Sequence, residues 1–137
     1  MPKMYIHSRE GTFGPEARAQ IAARLTDLGI ACERLAHTPQ IRAGVWVYFV
    51  DHAPDTVFRG GVPATEPITT LKAYTIKGGL EAASRKRMIE EGTQILGEFT
   101  GTPGGQIPVY VAVLEVPEEN WGMYGKQVDL AAMLAQS

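Results

Sequence analysis

The chain carries one cysteine, Cys32, in 137 residues, which excludes an internal disulfide and a cysteine-rich zinc framework. That usage suits a reducing compartment, so a cytoplasmic location is expected. Long apolar runs are lacking as well. None approaches the ~20 residues needed to cross a bilayer, and no signal-peptide pattern opens the chain, so no membrane partner is expected. Excess charge of one sign is absent: 13 Lys and Arg against 15 Asp and Glu leave a net charge of −2. That removes the electrostatic case for nucleic acid or an anionic surface. The three histidines, His7, His37 and His52, show no ligand spacing and no neighbouring carboxylate cluster, so no metal is expected. Gly101-Thr102-Pro103-Gly104-Gly105 lacks the Lys-Ser/Thr of a phosphate loop and reads as a plain turn.

What is present is an ordinary globular composition, 45% hydrophobic and 20% charged, of a length that fits one domain over 1–137. Met4, Tyr5 and Ile6 begin as a short strand, which Ser8-Arg9-Glu10-Gly11 ends. Pro15 suits a first helical position. Ala17, Ile21, Leu25, Leu28, Cys32 and Leu35 then recur at helical spacing, predicting a helix over about 15–36, loosened near Gly29. Gly44 to Val50 is an uninterrupted apolar run, which predicts a strand covered on both faces. Asp51 to Pro67 reads as a long connection.

The pattern then repeats. Ile68 to Ile76 reads as a strand, Lys77-Gly78-Gly79 as a turn, and Leu80 to Phe99 as a helix. The apolar side of that helix is Met88, Ile89, Ile95, Leu96 and Phe99. Val109 to Val116 is a second apolar strand, and Val128 to Leu134 a tail able to dock as a short helix. Gly11 matches Gly78, Ile21 matches Met88 and Leu28 matches Ile95 at a constant offset of 67. Trp46 matches Tyr110 and Asp51 matches Glu115 at 64. Two β-α-β halves, about 1–66 and 67–137, are therefore expected, as in an internal duplication. Each should pair its strands in parallel through a right-handed crossover. The expected architecture is α+β, a four-stranded sheet with two helices on one face. The second strand of each half is read as an inner strand, and the helix-free face as requiring another subunit.

Pro2 carries the functional reading. A proline behind an initiator methionine is expected to permit its removal, leaving a secondary amine tethered to a strand. An α-amino group titrates near ~8, and burial or a nearby cation lowers that value. Such an amine can act as a general base or a nucleophile near neutral pH.

Three stretches together resemble the tautomerase superfamily, in the branch with two fused β-α-β units that includes cis-3-chloroacrylic acid dehalogenase. They are Met1-Pro2 with the following strand, Val47 to Phe58, and Val113 to Gly125 with its aromatic-Gly-x-x-Gly hairpin. The resemblance implies a homotrimer with an active site near each Pro2, acting on small keto or unsaturated carboxylic acids. It implies no metal and no organic cofactor. Two arginines of that branch that hold the substrate carboxylate fall on Lys77 and Leu80 here, and its water-activating glutamate falls on Met123. The expected activity is therefore that of a tautomerase shuttling a proton, or of a related decarboxylase-type lyase, rather than dehalogenation. Pro2 is the base, with Tyr110 as a donor to the enolate oxygen. Lys77, Arg59 and Arg42 are the candidate cations for the carboxylate, and Trp121 a candidate pocket wall. Two other readings fit the same pattern: a trimeric binding protein that lost the chemistry, and a dimeric α+β barrel of the monooxygenase kind.

Overall fold

The computed structural model describes residues 1–101 and 105–135, so 102–104 of the loop expected at Gly101–Gly105 lie outside the described residues. Strand β1 (Lys3–Arg9) runs into α1 (Pro15–Cys32), a five-residue helix α2 (Pro39–Ala43) and strand β2 (Trp46–His52). A short hairpin of β3 (Phe58–Arg59) and β4 (Val62–Pro63) follows. Then come β5 (Thr69–Ile76), α3 (Ala82–Gly97) and β6 (Val109–Val116). A second short hairpin, β7 (Gly122–Met123) and β8 (Lys126–Gln127), leads to a last helix, α4 (Leu130–Ala135).

The architecture is α+β, with a mixed four-stranded sheet in the order β2-β1-β5-β6. β1 and β2 are parallel, β5 and β6 are parallel, and the two pairs meet antiparallel at β1–β5. The second strand of each half, read from its apolar run as an inner strand, is in fact an edge. The apolar residues that looked doubly covered divide between two faces. Val47, Phe49, Val111 and Val113 pack on the core, whereas Trp46, Tyr48 and Tyr110 are 47%, 42% and 83% exposed.

Both long helices lie on one side of the sheet. Ile21, Leu25, Leu28 and Cys32 of α1 and Met88, Ile95 and Leu96 of α3 pack on Met4, Ile6, Leu71 and Ala73. Ile89, expected on the apolar side of α3, is 42% exposed. It follows Met88 directly, about 100° further round the helix, and so leaves the buried stripe. Helix α1 stops at Cys32 rather than 36. The Leu35 N–H donates to the Ile30 carbonyl and the Arg34 N–H to the Ala31 carbonyl, both at 3.1 Å. Arg34 takes a left-handed φ of 57°, the geometry of a Schellman cap. Gly29 lies within the helix and does not loosen it. Among the described residues no helix is long and apolar enough to cross a membrane.

Candidate active site

Pro2 stands one residue ahead of β1, with its ring fully buried. The period-two alternation of the strand turns Met4 and Ile6 toward the helices and Lys3, Tyr5 and His7 to the other face. A Cβ on Gly29 would lie 2.5 Å from Pro2 Cγ and 3.2 Å from Met4 Cε. Helix α1 can approach the chain start this closely only because residue 29 has no side chain. Met1 packs against Ile30, Leu35, Ile41 and Val45, and its amine lies 3.2 Å from Glu33 Oε2.

Glu33 is the C-cap of α1 and is only 2% exposed. Its position is unfavourable on three counts. Burial pushes the carboxyl above its ordinary pKa, and the charge and hydrogen bond of the chain-start amine offset this only in part. A negative charge at a helix C-terminus is disfavoured by about 0.3–1 kcal/mol at exposed sites. Oε1 has no hydrogen-bond partner, although buried polar atoms are nearly always paired. A group held against three penalties is the kind found at functional sites.

Thr75 adds a second such group. Extending the β1–β5 register by one residue sets Pro2 opposite Thr75, since Lys3 pairs with Tyr74. Thr75 is fully buried. Among the described residues, Glu33 Oε1 and Thr75 Oγ1 are the buried side-chain atoms left without a hydrogen bond. Both flank the start of the chain.

On the helix-free face, at the same end of the sheet, a cavity of about 410 Å³ is lined by Lys3, Tyr5, Trp46, Tyr74, Trp121 and Met123. Gly44 lines this cavity too, and a Cβ there would meet the Met1 sulfur at 2.2 Å. Gly44 therefore stands between the cavity and Met1. The Lys3 ammonium lies 5.5–5.7 Å from the ring centroids of Tyr5, Trp46 and Tyr48, within cation–π range. Its pKa is raised, chiefly by Tyr5, and the ammonium supplies a positive charge at the cavity.

The residues singled out from sequence are distributed unevenly about this place. Pro2 and Trp121 are at the Lys3 end of the sheet. Lys77 is two residues from Gly79, and a Cβ on Gly79 would come within 3.5 Å of Glu33 Oε2. The Lys77 side chain, however, is exposed in an open cleft beside Glu118, Glu119 and Asp129. Arg59, on the first hairpin, pairs with Glu66 at 3.1 Å. Arg42, on α2, pairs with Asp27. Tyr110 is level with Thr70 and His7, four residues along the sheet from the Tyr74 rung beside Lys3. Within one protomer it is not brought to Pro2.

Sequence reasoning missed Glu33, Thr75 and Lys3. It also missed a pairing among the histidines: His7 Nδ1 and His52 Nε2 are 3.0 Å apart, with the rings stacked. The pair lies across strands, where spacing along the chain gives no hint of it. Among the described residues no three His, Cys, Asp or Glu side chains gather to hold a metal.

No family model matches the chain. A 52-residue stretch is 44% identical to a 2-hydroxymuconate tautomerase of Pseudomonas putida, spanning 38% of this chain and 78% of that one. Among solved structures, N1, a member of the cis-3-chloroacrylic acid dehalogenase family, superposes with a TM-score of 0.77. It is 28% identical, over 93% of this chain and 83% of its own. A native fused 4-OT superposes with a TM-score of 0.77 at 16% identity, over 91% of this chain and 94% of its own. The R7 fused 4-OT, an asymmetric trimer, gives 0.76 at 15% identity, with the same 91% and 94% coverage. At those last two identities the likeness is one of fold.

Proposed function

Because the chain belongs to the tautomerase superfamily, in its fused double-unit form, we propose that it is an isomerase-type enzyme moving a proton on a small keto or enol carboxylic acid. Membership sets aside the dimeric barrel reading. The observation that carries the proposal is the position of Pro2. It is a buried proline at the start of β1, next in the chain to Lys3, which lines an aromatic cavity, and it is flanked by two unpartnered polar groups. Removal of Met1 converts its nitrogen from an amide without basicity into a secondary amine.

In the proposed mechanism the neutral Pro2 amine takes a proton from one atom of the substrate and returns it to another carbon. A cation holds the substrate carboxylate. Lys3 supports this role best, with Lys77 on the neighbouring turn as the second candidate. The carboxylate-binding role proposed for Arg59 or Arg42 and the donor role proposed for Tyr110 require a neighbouring subunit's residues at the site. That accords with a homotrimer assembled through the helix-free face, where Trp46, Tyr48 and Tyr110 are exposed.

The test is ultraviolet absorbance with 2-hydroxymuconate and phenylenolpyruvate, on protein whose intact mass lacks Met1. Ketonisation by this chain and its loss in Pro2→Ala are the expected results. If the protein retains Met1 in its native host, or if neither enol is turned over, the scaffold serves binding instead.

A further inference from the structure

We infer that Glu33 is a second proton-transfer group of this site, a neutral carboxylic acid that protonates the substrate carbonyl oxygen while Pro2 deprotonates the neighbouring carbon. The inference rests on the Pro2 reading above and adds a residue to it.

The geometry comes from the chain start. The Met1 nitrogen is 3.2 Å from Glu33 Oε2, and the Pro2 nitrogen is one residue further on. One residue of chain spans at most ~3.6 Å, so no more than about 7 Å separates the Pro2 amine from that oxygen. Met1 occupies the place beside Oε2, so its removal frees that place for a carbonyl group within reach of both. Oε1 has no partner of its own. Gly79, from the β5–α3 turn, and Leu130, from α4, close the other side: a Cβ on Gly79 would lie 3.5 Å from Glu33 Oε2 and 3.9 Å from the Leu130 side chain. With Met1 in place the carboxyl is aimed at the chain start and is 2% exposed, and this burial favours the neutral acid.

The titratable and charged groups around it are few. The chain-start amine and the Cys32 thiol are the two coupled to the carboxyl. The neighbouring Arg34 guanidinium is held by Glu81 at 2.9 Å. Lys77, on the turn that carries Gly79, and Asp129, beside Leu130, both face the open cleft. Apart from the Pro2 amine itself, none offers Glu33 a cationic partner once Met1 is gone.

The step balances with one proton each way. In enolisation the substrate C–H bond breaks and an N–H bond forms on Pro2, while the Glu33 O–H bond breaks and an enol O–H bond forms. Ketonisation is the reverse, the Pro2 ammonium protonating carbon and the Glu33 carboxylate taking the enol proton. The Pro2 ammonium and Glu33 carboxylate left by enolisation form an ion pair, and passage of one proton between them restores the starting state. No co-reactant is required. Substrates must therefore present a ketone oxygen, or its enol, beside the carbon that exchanges its proton.

The experiment uses the full chain lacking Met1, verified by mass. Infrared difference spectra of wild type against Glu33→Gln at pH 7 should contain a protonated-carboxyl band, the ionised carboxylate band being absent. Glu33→Gln should lower kcat for phenylenolpyruvate by about 10²–10³-fold with KM little changed, because the amide can form a hydrogen bond but can neither take up nor return a proton. The alkaline limb of the kcat profile should vanish with it. An ionised carboxylate band overturns the inference without reference to activity, as does a Glu33→Gln enzyme within threefold of wild type. An indifferent Glu33→Gln beside a dead Pro2→Ala rejects Glu33 alone. A wild type with no ketonisation rejects the Pro2 reading, and Glu33 with it.

Discussion

Gly29 and Pro2 touch across the junction of α1 and β1, so closely that a Cβ on residue 29 would come 2.5 Å from the proline ring. A glycine inside a helix is disfavoured by about 1 kcal/mol relative to alanine, so propensity alone favours Gly29→Ala. Packing opposes it: adding a methylene to a filled core destabilises by about 1–3 kcal/mol. The obstruction is the Pro2 ring, which anchors the proposed catalytic nitrogen. Gly29→Ala should therefore fold and lose at least tenfold in kcat through displacement of Pro2. Urea midpoints and steady-state kinetics on one preparation check this; a Gly29→Ala enzyme of full activity would show that Pro2 has no fixed position to lose.

Pro2 itself gives the simplest kinetic prediction. A positioned acid–base group supplies about 10²–10⁴-fold, so Pro2→Ala, trimmed and folded, should lose that much in kcat. A primary amine remains in that variant, so the loss measures the secondary amine and its placement. Activity unchanged in Pro2→Ala would remove the residue from the mechanism.

Most of the fold was legible because its long elements have clean periods. Ile21, Leu25, Leu28 and Cys32 recur as a helix must, and all are buried. The five-residue α2 between Pro39 and Ala43 is too short to show a period. It is specified instead by Thr38, whose side chain accepts from the Ile41 N–H at 3.2 Å. Gly60-Gly61 was visible within a connection, but only the structure shows both at positive φ, turning β3 into β4. Sheet order was not legible. An apolar run such as Val45 to Val50 reads the same whether it is central or is an edge with an unpartnered face. Within the site, Pro2 was legible from its place in the chain, whereas Glu33 resembled any charged residue at a helix end. A signal was nonetheless present: Thr26, Gly29, Ile30 and Glu33 follow the i, i+3, i+4, i+7 pattern, and all four are buried.

The helix-free face predicts assembly. Trp46, Tyr48, Tyr110 and Leu114 are all exposed there in a single protomer. Light scattering should give about three times the 14.9 kDa of one chain. Leu114→Asp, which sets a charge on that face, should shift the population toward monomer. A wild type that stays monomeric at micromolar concentration would contradict the trimer.

The stacked histidines predict a pH dependence of stability. Burial, then Lys72, then His52 hold His7 below its ordinary pKa of 6.5. The unfolded chain therefore takes up this proton first as pH falls. Stability from this group is unaffected above the unfolded pKa, and is lost as pH drops below 6.5 toward the folded value. Glu33 has the opposite sign: its raised pKa favours the folded state at low pH and loses that contribution as pH rises. The difference between wild type and His7→Gln cancels the Glu33 slope. Urea midpoints of the two should diverge less at pH 7.5 than at pH 5.5, with wild type losing more on acidification. Parallel midpoints across that range would show that His7 does not resist protonation.

The last prediction separates ketonisation from dehalogenation. Hydration of a halogenated alkene needs an ionised carboxylate to activate water and an acid to protonate the adjacent carbon. Met123 lines the cavity on β7, where the resembling branch carries its glutamate, and a thioether has no proton to exchange. Glu118 and Glu119 border the cleft on the other side of that turn, beside Lys77. Glu115 is taken by Arg85 at 2.9 Å. Glu33 does face the chain start, but its burial favours the protonated form, which cannot activate water. Enol–keto conversion asks only for a base, an acid and a charge for the carboxylate, the roles proposed above for Pro2, Glu33 and Lys3. Phenylenolpyruvate and 2-hydroxymuconate should therefore be ketonised while 3-chloroacrylate is left intact, both followed by ultraviolet absorbance on one preparation. Raising the pH should not rescue dehalogenation, because ionising Glu33 removes the acid without supplying another. Chloride release from 3-chloroacrylate without measurable ketonisation would reverse this assignment and require an ionised carboxylate beside Pro2.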